Sequence, residues 1–131
     1  MENQLFVVER LEGFIRGVLL ALGVSEDHAR ICAVRMIEAD LRGMHGHGVF
    51  RLPGYCRRFE AGGYNLKPDI QVMRETPVSA VVDGDNGLGQ VVVTFAAELA
   101  IQVEPACDGA RGGRRHECEH LIHVELPQGW T

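Results

Sequence analysis

The sequence has no long apolar run, no basic excess and no closely spaced cysteines, and each absence removes a class of function. The longest apolar stretch, Val18 to Leu22, falls far short of the ~20 residues that cross a bilayer. The opening MENQLFVVERLEGF has no basic segment leading into an apolar one, so it does not read as a secretory signal. Acidic residues outnumber basic ones, 18 to 13, for a formal charge of −5. Nucleic acid and anionic membrane, which select a basic face, are therefore not expected partners. Cys32, Cys56, Cys107 and Cys118 form no CxxC pair. Reduced thiols in a cytoplasmic protein are expected rather than disulfides. Internal repeats and low-complexity tracts are also lacking.

What remains is enough to fold. Of 131 residues, 46% are apolar and 24% charged, the balance of a globular domain with a buried core. Leu5 to Val8 reads as a short strand. Leu11, Phe14, Ile15, Val18, Leu19 and Leu22 then follow helical spacing up to Gly23. Ser25 is a natural N-cap, with Glu26 and Asp27 in the first turn, where the helix dipole favours negative charge. The helix it opens carries Ala29, Cys32, Ala33, Met36 and Ile37 on one side and runs to about Leu41, before Gly43. Glycines at 43, 46 and 48 and Pro53 exclude a regular element between Gly43 and Pro53. Tyr55 to Phe59 suggests a further helical stretch. Ile70–Met73 and Val78–Val82 read as strands, and Val91–Val103 as a helix burying Phe95, Ala96, Leu99 and Ala100. After Gln102 neither helical nor strand periodicity is clear. The fold class expected is mixed α/β (α+β), with residues 1–103 as one part and 104–131 as an atypical, poorly packed tail.

Chemistry-bearing residues gather in ADLRGMHGHGVFRLPGY, Ala39 to Tyr55. His45 and His47 sit two apart among glycines, a spacing that can serve a metal, but no third ligand lies nearby in the sequence. A histidine between Gly46 and Gly48 suits general acid–base work, and equally suits a solvated or capping role. Arg51 can clamp a carboxylate through two parallel charge-assisted hydrogen bonds, or pair with Glu60 on the surface. The turn Gly84-Asp85-Asn86-Gly87-Leu88-Gly89 misses the dinucleotide fingerprint, because position 92 is Val. It reads better as a structural turn than as a phosphate cradle. In the tail, His116, Cys118, His120 and His123 resemble a ligand cluster but match no zinc spacing. They support a competing reading, a non-enzymatic interaction or metal-binding module.

From Leu11 to about Ile101 the chain resembles the malate/L-lactate dehydrogenase family of non-Rossmann oxidoreductases. The resemblance is carried by Gly23-Val24-Ser25-Glu26, ADLRG at 39–43, His47-Gly48-Val49 and Arg51-Leu52-Pro53-x-Tyr55. It continues through Gly62-Gly63-x-Asn65 and Val82-Asp83-Gly84-Asp85-Asn86-Gly87-x-Gly89-Gln90. The resemblance implies hydride transfer between NAD or NADP and a 2-hydroxy or 2-keto acid. It implies His47 as an acid–base residue, Arg51 and Tyr55 on the substrate, and a homodimer in full-length members. No cofactor-binding residue can be assigned from it. The sequence departs from the family twice. Gly46 stands where the family has Ser, removing a hydroxyl that could orient His47. The tail carries RRHECEHLIH where the family continues into a Val-Arg-x-Ser-x-His-like motif with its principal acid–base histidine. A frameshifted or truncated family sequence would read this way, and the 131-residue chain is expected to be inactive alone.

Overall fold

A computed structural model describes residues 5–76, 79–103 and 121–125. They fall into two compact units that divide between Lys67 and Pro68. The tail stretches 104–120 and 126–131, with His116, Cys118 and His120 of the suggested ligand cluster, lie outside the described residues.

The first unit begins with helix α1, Val8–Ala21. Leu5 to Val7 are not a strand. They are highly exposed, Leu5 almost completely, and with no strand beside them among the described residues, their backbone gains nothing from extension. Val7 instead caps α1, its carbonyl accepting from the amides of Arg10 and Leu11 at 3.1 Å. Ile15 and Leu19 are the buried centre of the α1 stripe. Phe14, placed in that stripe by spacing, is exposed, because it lies about 100° round the helix from Ile15. The helix closes on Gly23, whose φ of 91° is accessible at little cost only without a Cβ. The Val24 amide then reaches back to the Leu19 carbonyl at 3.1 Å, the hydrogen bond of a Schellman termination.

Helix α2, Glu26–Leu41, starts where Ser25 Oγ accepts from the His28 amide at 3.4 Å. Ala29, Cys32, Ala33, Met36 and Ile37 are all buried, as their spacing requires, and Ala39 joins them. α1 packs against this face. Gly43 (φ 75°) repeats the same termination, with the Met44 amide donating to the Ala39 carbonyl at 2.8 Å. Two short 3-10 turns follow, His45–His47 and Val49–Arg51. Helix α3 then spans Leu52–Glu60. It starts before Tyr55 because Pro53 falls in its first turn, where a missing N–H has no helical partner to lose.

The second unit holds a three-stranded sheet in the order β1-β2-β3. β1, Gln71–Thr76, and β2, Ser79–Asp83, pair antiparallel from Gln71↔Asp83 to Thr76↔Ser79. A bulge at Met73 shifts the register between Val72 and Arg74. β1 therefore reaches three residues past Met73. Arg74, Glu75 and Thr76 are strand residues on a solvent-facing edge, where apolar patterning gives no signal. β2 turns Ala80 and Val82 inward. Helix α4, Gly89–Val103, covers that face, and Val82, Val92 and Ala96 form the core with Ile70, Phe95 and Leu99 packed round it. β3, Leu121–Glu125, lies parallel to β2. Sequence periodicity assigned no element there.

Between β2 and α4 the chain makes a tight turn. Asp85 and Asn86 adopt φ of 46° and 54°, and the Gly87 amide donates to the Gly84 carbonyl at 2.8 Å, the pattern of a type I′ turn. The flanking glycines make room for packing. A Cβ on Gly84 would stand 2.8 Å from a Val92 methyl, and one on Gly87 would stand 2.9 Å from Pro68.

Candidate functional site

The loop that carries His47 and Arg51 is tied to the end of α2 by Asp40. The Asp40 carboxylate is mostly buried. Its Oδ2 accepts from the Val49 amide at 2.8 Å, and its Oδ1 lies 3.2 Å from His45 Nδ1. Gly48 passes so close beneath this carboxylate that a Cβ there would overlap it. The two 3-10 turns are held by their own backbone, with the His47 amide on the Met44 carbonyl (2.9 Å) and the Arg51 amide on the Gly48 carbonyl (3.0 Å). Thus the glycine needed at 48 and the acid needed at 40 form a single device that fixes where α3 begins.

Arg51 is the N-cap residue of α3, and the buried Leu52 anchors the helix start. Arg51, Tyr55 and Arg58 recur at positions that share one face of a helix. They line an open groove of about 520 Å³, together with Arg57, Tyr64 and Phe50. No carboxylate is among its lining residues. Among the described residues Arg51 forms no ion pair, so the surface pairing with Glu60 is not made. The far wall is an aromatic cluster. The Tyr64 ring lies 4.7 Å from Phe59 and 6.2 Å from Tyr55, centroid to centroid, with the Arg58 guanidinium carbon 5.1 Å from its centre. Burial pushes the Tyr64 hydroxyl above its usual pKa, a shift that Arg58 partly opposes. At neutral pH it is a phenol, able to donate a hydrogen bond.

Of the three residues singled out from the sequence, the structure brings Arg51 and Tyr55 together in this groove. His47 is not part of its wall. It is an exposed residue at the end of the first 3-10 turn. Sequence reasoning missed Asp40, Arg57, Arg58 and Tyr64. The paired Gly62-Gly63 was a usable signal, since the chain turns back there to bring Tyr64 onto α3 (Gly62 φ 71°).

Neither a metal cluster among the described residues nor a pyrophosphate cradle in the turn after β2 is present. No group of three His, Cys, Asp or Glu side chains among them could hold a metal. In the turn after β2, Asp83 Oδ1 accepts from the Asp85 amide (2.8 Å) and Asp85 Oδ2 from the Asp69 amide (2.9 Å). Carboxylates already occupy the amides that a pyrophosphate would seek, and their charge would repel it. Cys32 is no nucleophile either, because burial pushes its thiol up to about 12. No helix among the described residues is long and apolar enough to cross a membrane.

The groove is thus lined by three arginines and no carboxylate, a surface that favours anions. Comparison with known proteins gives the family. Residues 6–106 match the malate/L-lactate dehydrogenase family, and the chain belongs to it. Over 94 residues it is 50% identical to malate dehydrogenase of Pyrococcus horikoshii, covering 72% of this chain and 26% of that protein. It is 46% identical over 94 residues to L-sulfolactate dehydrogenase of Methanocaldococcus jannaschii, covering 72% of this chain and 27% of that one. The solved structure of sulfolactate dehydrogenase from M. jannaschii superposes with a TM-score of 0.74 at 42% identity, over 78% of this chain and 30% of that one. The fold is therefore a portion of the malate/L-lactate dehydrogenase fold. The chain spans about a quarter of the length of the curated relatives it matches.

Proposed function

We propose that this chain forms the acid-binding side of a nicotinamide-dependent 2-hydroxyacid dehydrogenase site. The observation that supports this reading is the placement of Arg51 and Tyr55 on one face of α3, in a groove with no carboxylate. A guanidinium grips a carboxylate through two parallel N–H donors, which fixes the orientation of the acid as well as its position. Tyr55 Oη supplies a further donor or acceptor beside it. The apolar wall round Tyr64 lowers the local dielectric and strengthens the pair. Family membership supplies the reaction class, interconversion of a 2-hydroxy acid and its 2-keto acid with NAD or NADP. The contribution of the groove is to hold and orient the acid. His47, four residues ahead of Arg51, is assigned to the proton of the substrate alcohol. Its exposed ring is free to exchange that proton with water. Small 2-hydroxy and 2-keto acids are the partners, and a homodimer and a cytoplasmic site of action are part of the same proposal.

Isothermal titration of the chain with pyruvate tests this. Saturable binding that Arg51→Gln weakens about tenfold or more is the expected result, as for loss of a charge-assisted pair. Equal binding by the wild type and Arg51→Gln would overturn it.

A further inference from the structure

The peptide that joins Gly48 to Val49 is held from both sides. Its N–H donates to Asp40 Oδ2 at 2.8 Å, and its carbonyl accepts from the Arg51 amide at 3.0 Å. A trans peptide is a rigid plane whose N–H and C=O point in opposite directions. The Asp40 carboxylate and the backbone of Arg51 are therefore linked through a single plane. The next carbonyl, that of Val49, accepts from the Leu52 amide at the start of α3. The other carboxylate oxygen, Oδ1, lies 3.2 Å from His45 Nδ1, a contact that holds Asp40 in this orientation. Asp40 does not line the groove, so its effect on an acid bound there is indirect.

We propose that Asp40 is a positioning residue for acid binding, acting on Arg51 through the Gly48–Val49 peptide. This rests on the reading of Arg51 as the carboxylate clamp. A two-point clamp needs both N–H donors to meet both oxygens, and such sites must be held to within ~0.5 Å. With Asp40 in place the plane is fixed, and the Arg51 backbone with it. Without that acceptor the plane is free to tilt, and its carbonyl moves off the Arg51 amide. The two effects of Asp40 on a bound acid have opposite signs. Its negative charge repels an anion, so charge alone predicts that removing it tightens binding. Its hold on the peptide predicts that removing it loosens binding. Asparagine separates the two. Its side-chain carbonyl can accept from the Val49 amide while its NH2 group faces His45 in the other ring tautomer.

The test is an amide NMR titration of the full chain with lactate, which reads binding from the signals of folded molecules alone. Asp40→Ala should weaken lactate about tenfold, whereas Asp40→Asn should stay within about threefold of the wild type. In an Arg51→Gln background, Asp40→Ala should cost less than about threefold further, because the residue it acts through is gone. Gly48→Ala pushes the carboxylate off the Val49 amide from the other side. It should weaken lactate in the same way, and it serves if Asp40→Ala fails to fold. Unchanged or tighter binding in Asp40→Ala and Gly48→Ala would overturn the positioning role and leave the Arg51 clamp standing. So would an equal loss in Asp40→Asn, or a full loss repeated in the Arg51→Gln background. Failure of lactate to bind the folded wild-type chain would overturn the clamp as well.

Discussion

Asp40 Oδ2 accepts a 2.8 Å hydrogen bond from the Val49 amide, and this one contact joins the end of α2 to the loop that carries His47 and Arg51. The carboxylate, its second partner His45 and the glycine beneath it are one packed arrangement, so each has a consequence that can be measured.

Asp40→Ala leaves the Val49 amide without its acceptor at a part-buried position, at a cost of about 1–3 kcal/mol. Gly48→Ala forces the carboxylate away from that amide and should cost a similar amount. The two changes remove the same contact, so the double variant should be less destabilised than the sum of the singles. Urea denaturation of the four proteins measures this. Strict additivity would show that the two residues act separately.

Gly84→Ala drives a methyl into Val92, a core residue of the second unit, and should destabilise by about 1–3 kcal/mol. Val92→Ala opens the space the new methyl needs. Adding Gly84→Ala to Val92→Ala should therefore cost less than adding it to the wild type. Thermal melts of the four proteins decide it, and an unchanged cost in the Val92→Ala background would contradict the packing role.

Cys32 gives a pH dependence with a definite sign. Its thiol is pushed from 9.0 up to about 12 in the folded protein by burial. Below pH 9 both folded and unfolded chains hold the proton, and this group leaves stability unchanged. Between about pH 9 and 12 the unfolded chain loses the proton while the folded one keeps it. Stability should fall there by up to about 1.4 kcal/mol per pH unit. Denaturation measured across this range should show a shallower decline for Cys32→Ala. Equal slopes would contradict a buried, protonated thiol.

Catalysis by the isolated 131-residue chain is not expected. The proposed groove accounts for the acid alone, and the turn after β2 presents carboxylates where a pyrophosphate would need amides. Incubation with NADH or NADPH and pyruvate or oxaloacetate, followed by absorbance, should show no oxidation above the protein-free rate. Turnover that depends on Arg51 would contradict this.

Local signals in the sequence carried much of the fold. α2 was legible throughout, because a Ser cap, an acidic first turn, an apolar stripe and a terminating glycine agree on one helix. Where the structure departs from the reading, the deciding interaction lies elsewhere in the chain. β1 gains Arg74, Glu75 and Thr76 by pairing with β2, and Leu5–Val7 have no partner strand among the described residues. The candidate groove was half legible. Arg51 and Tyr55 stand in a specific motif, whereas Asp40 acts on residues five and nine positions ahead. Arg58 and Tyr64 meet only because the chain turns back at Gly62 and Gly63. No helical or strand period encodes such contacts.

The most direct test of the central claim is an amide NMR titration of the folded chain with lactate, repeated on Arg51→Gln. Acid binding in the groove predicts saturable shifts concentrated in residues 49–64 of the wild type, strongly reduced in the variant. Shifts spread over the whole surface, or identical in the two proteins, would contradict an acid-binding site on α3.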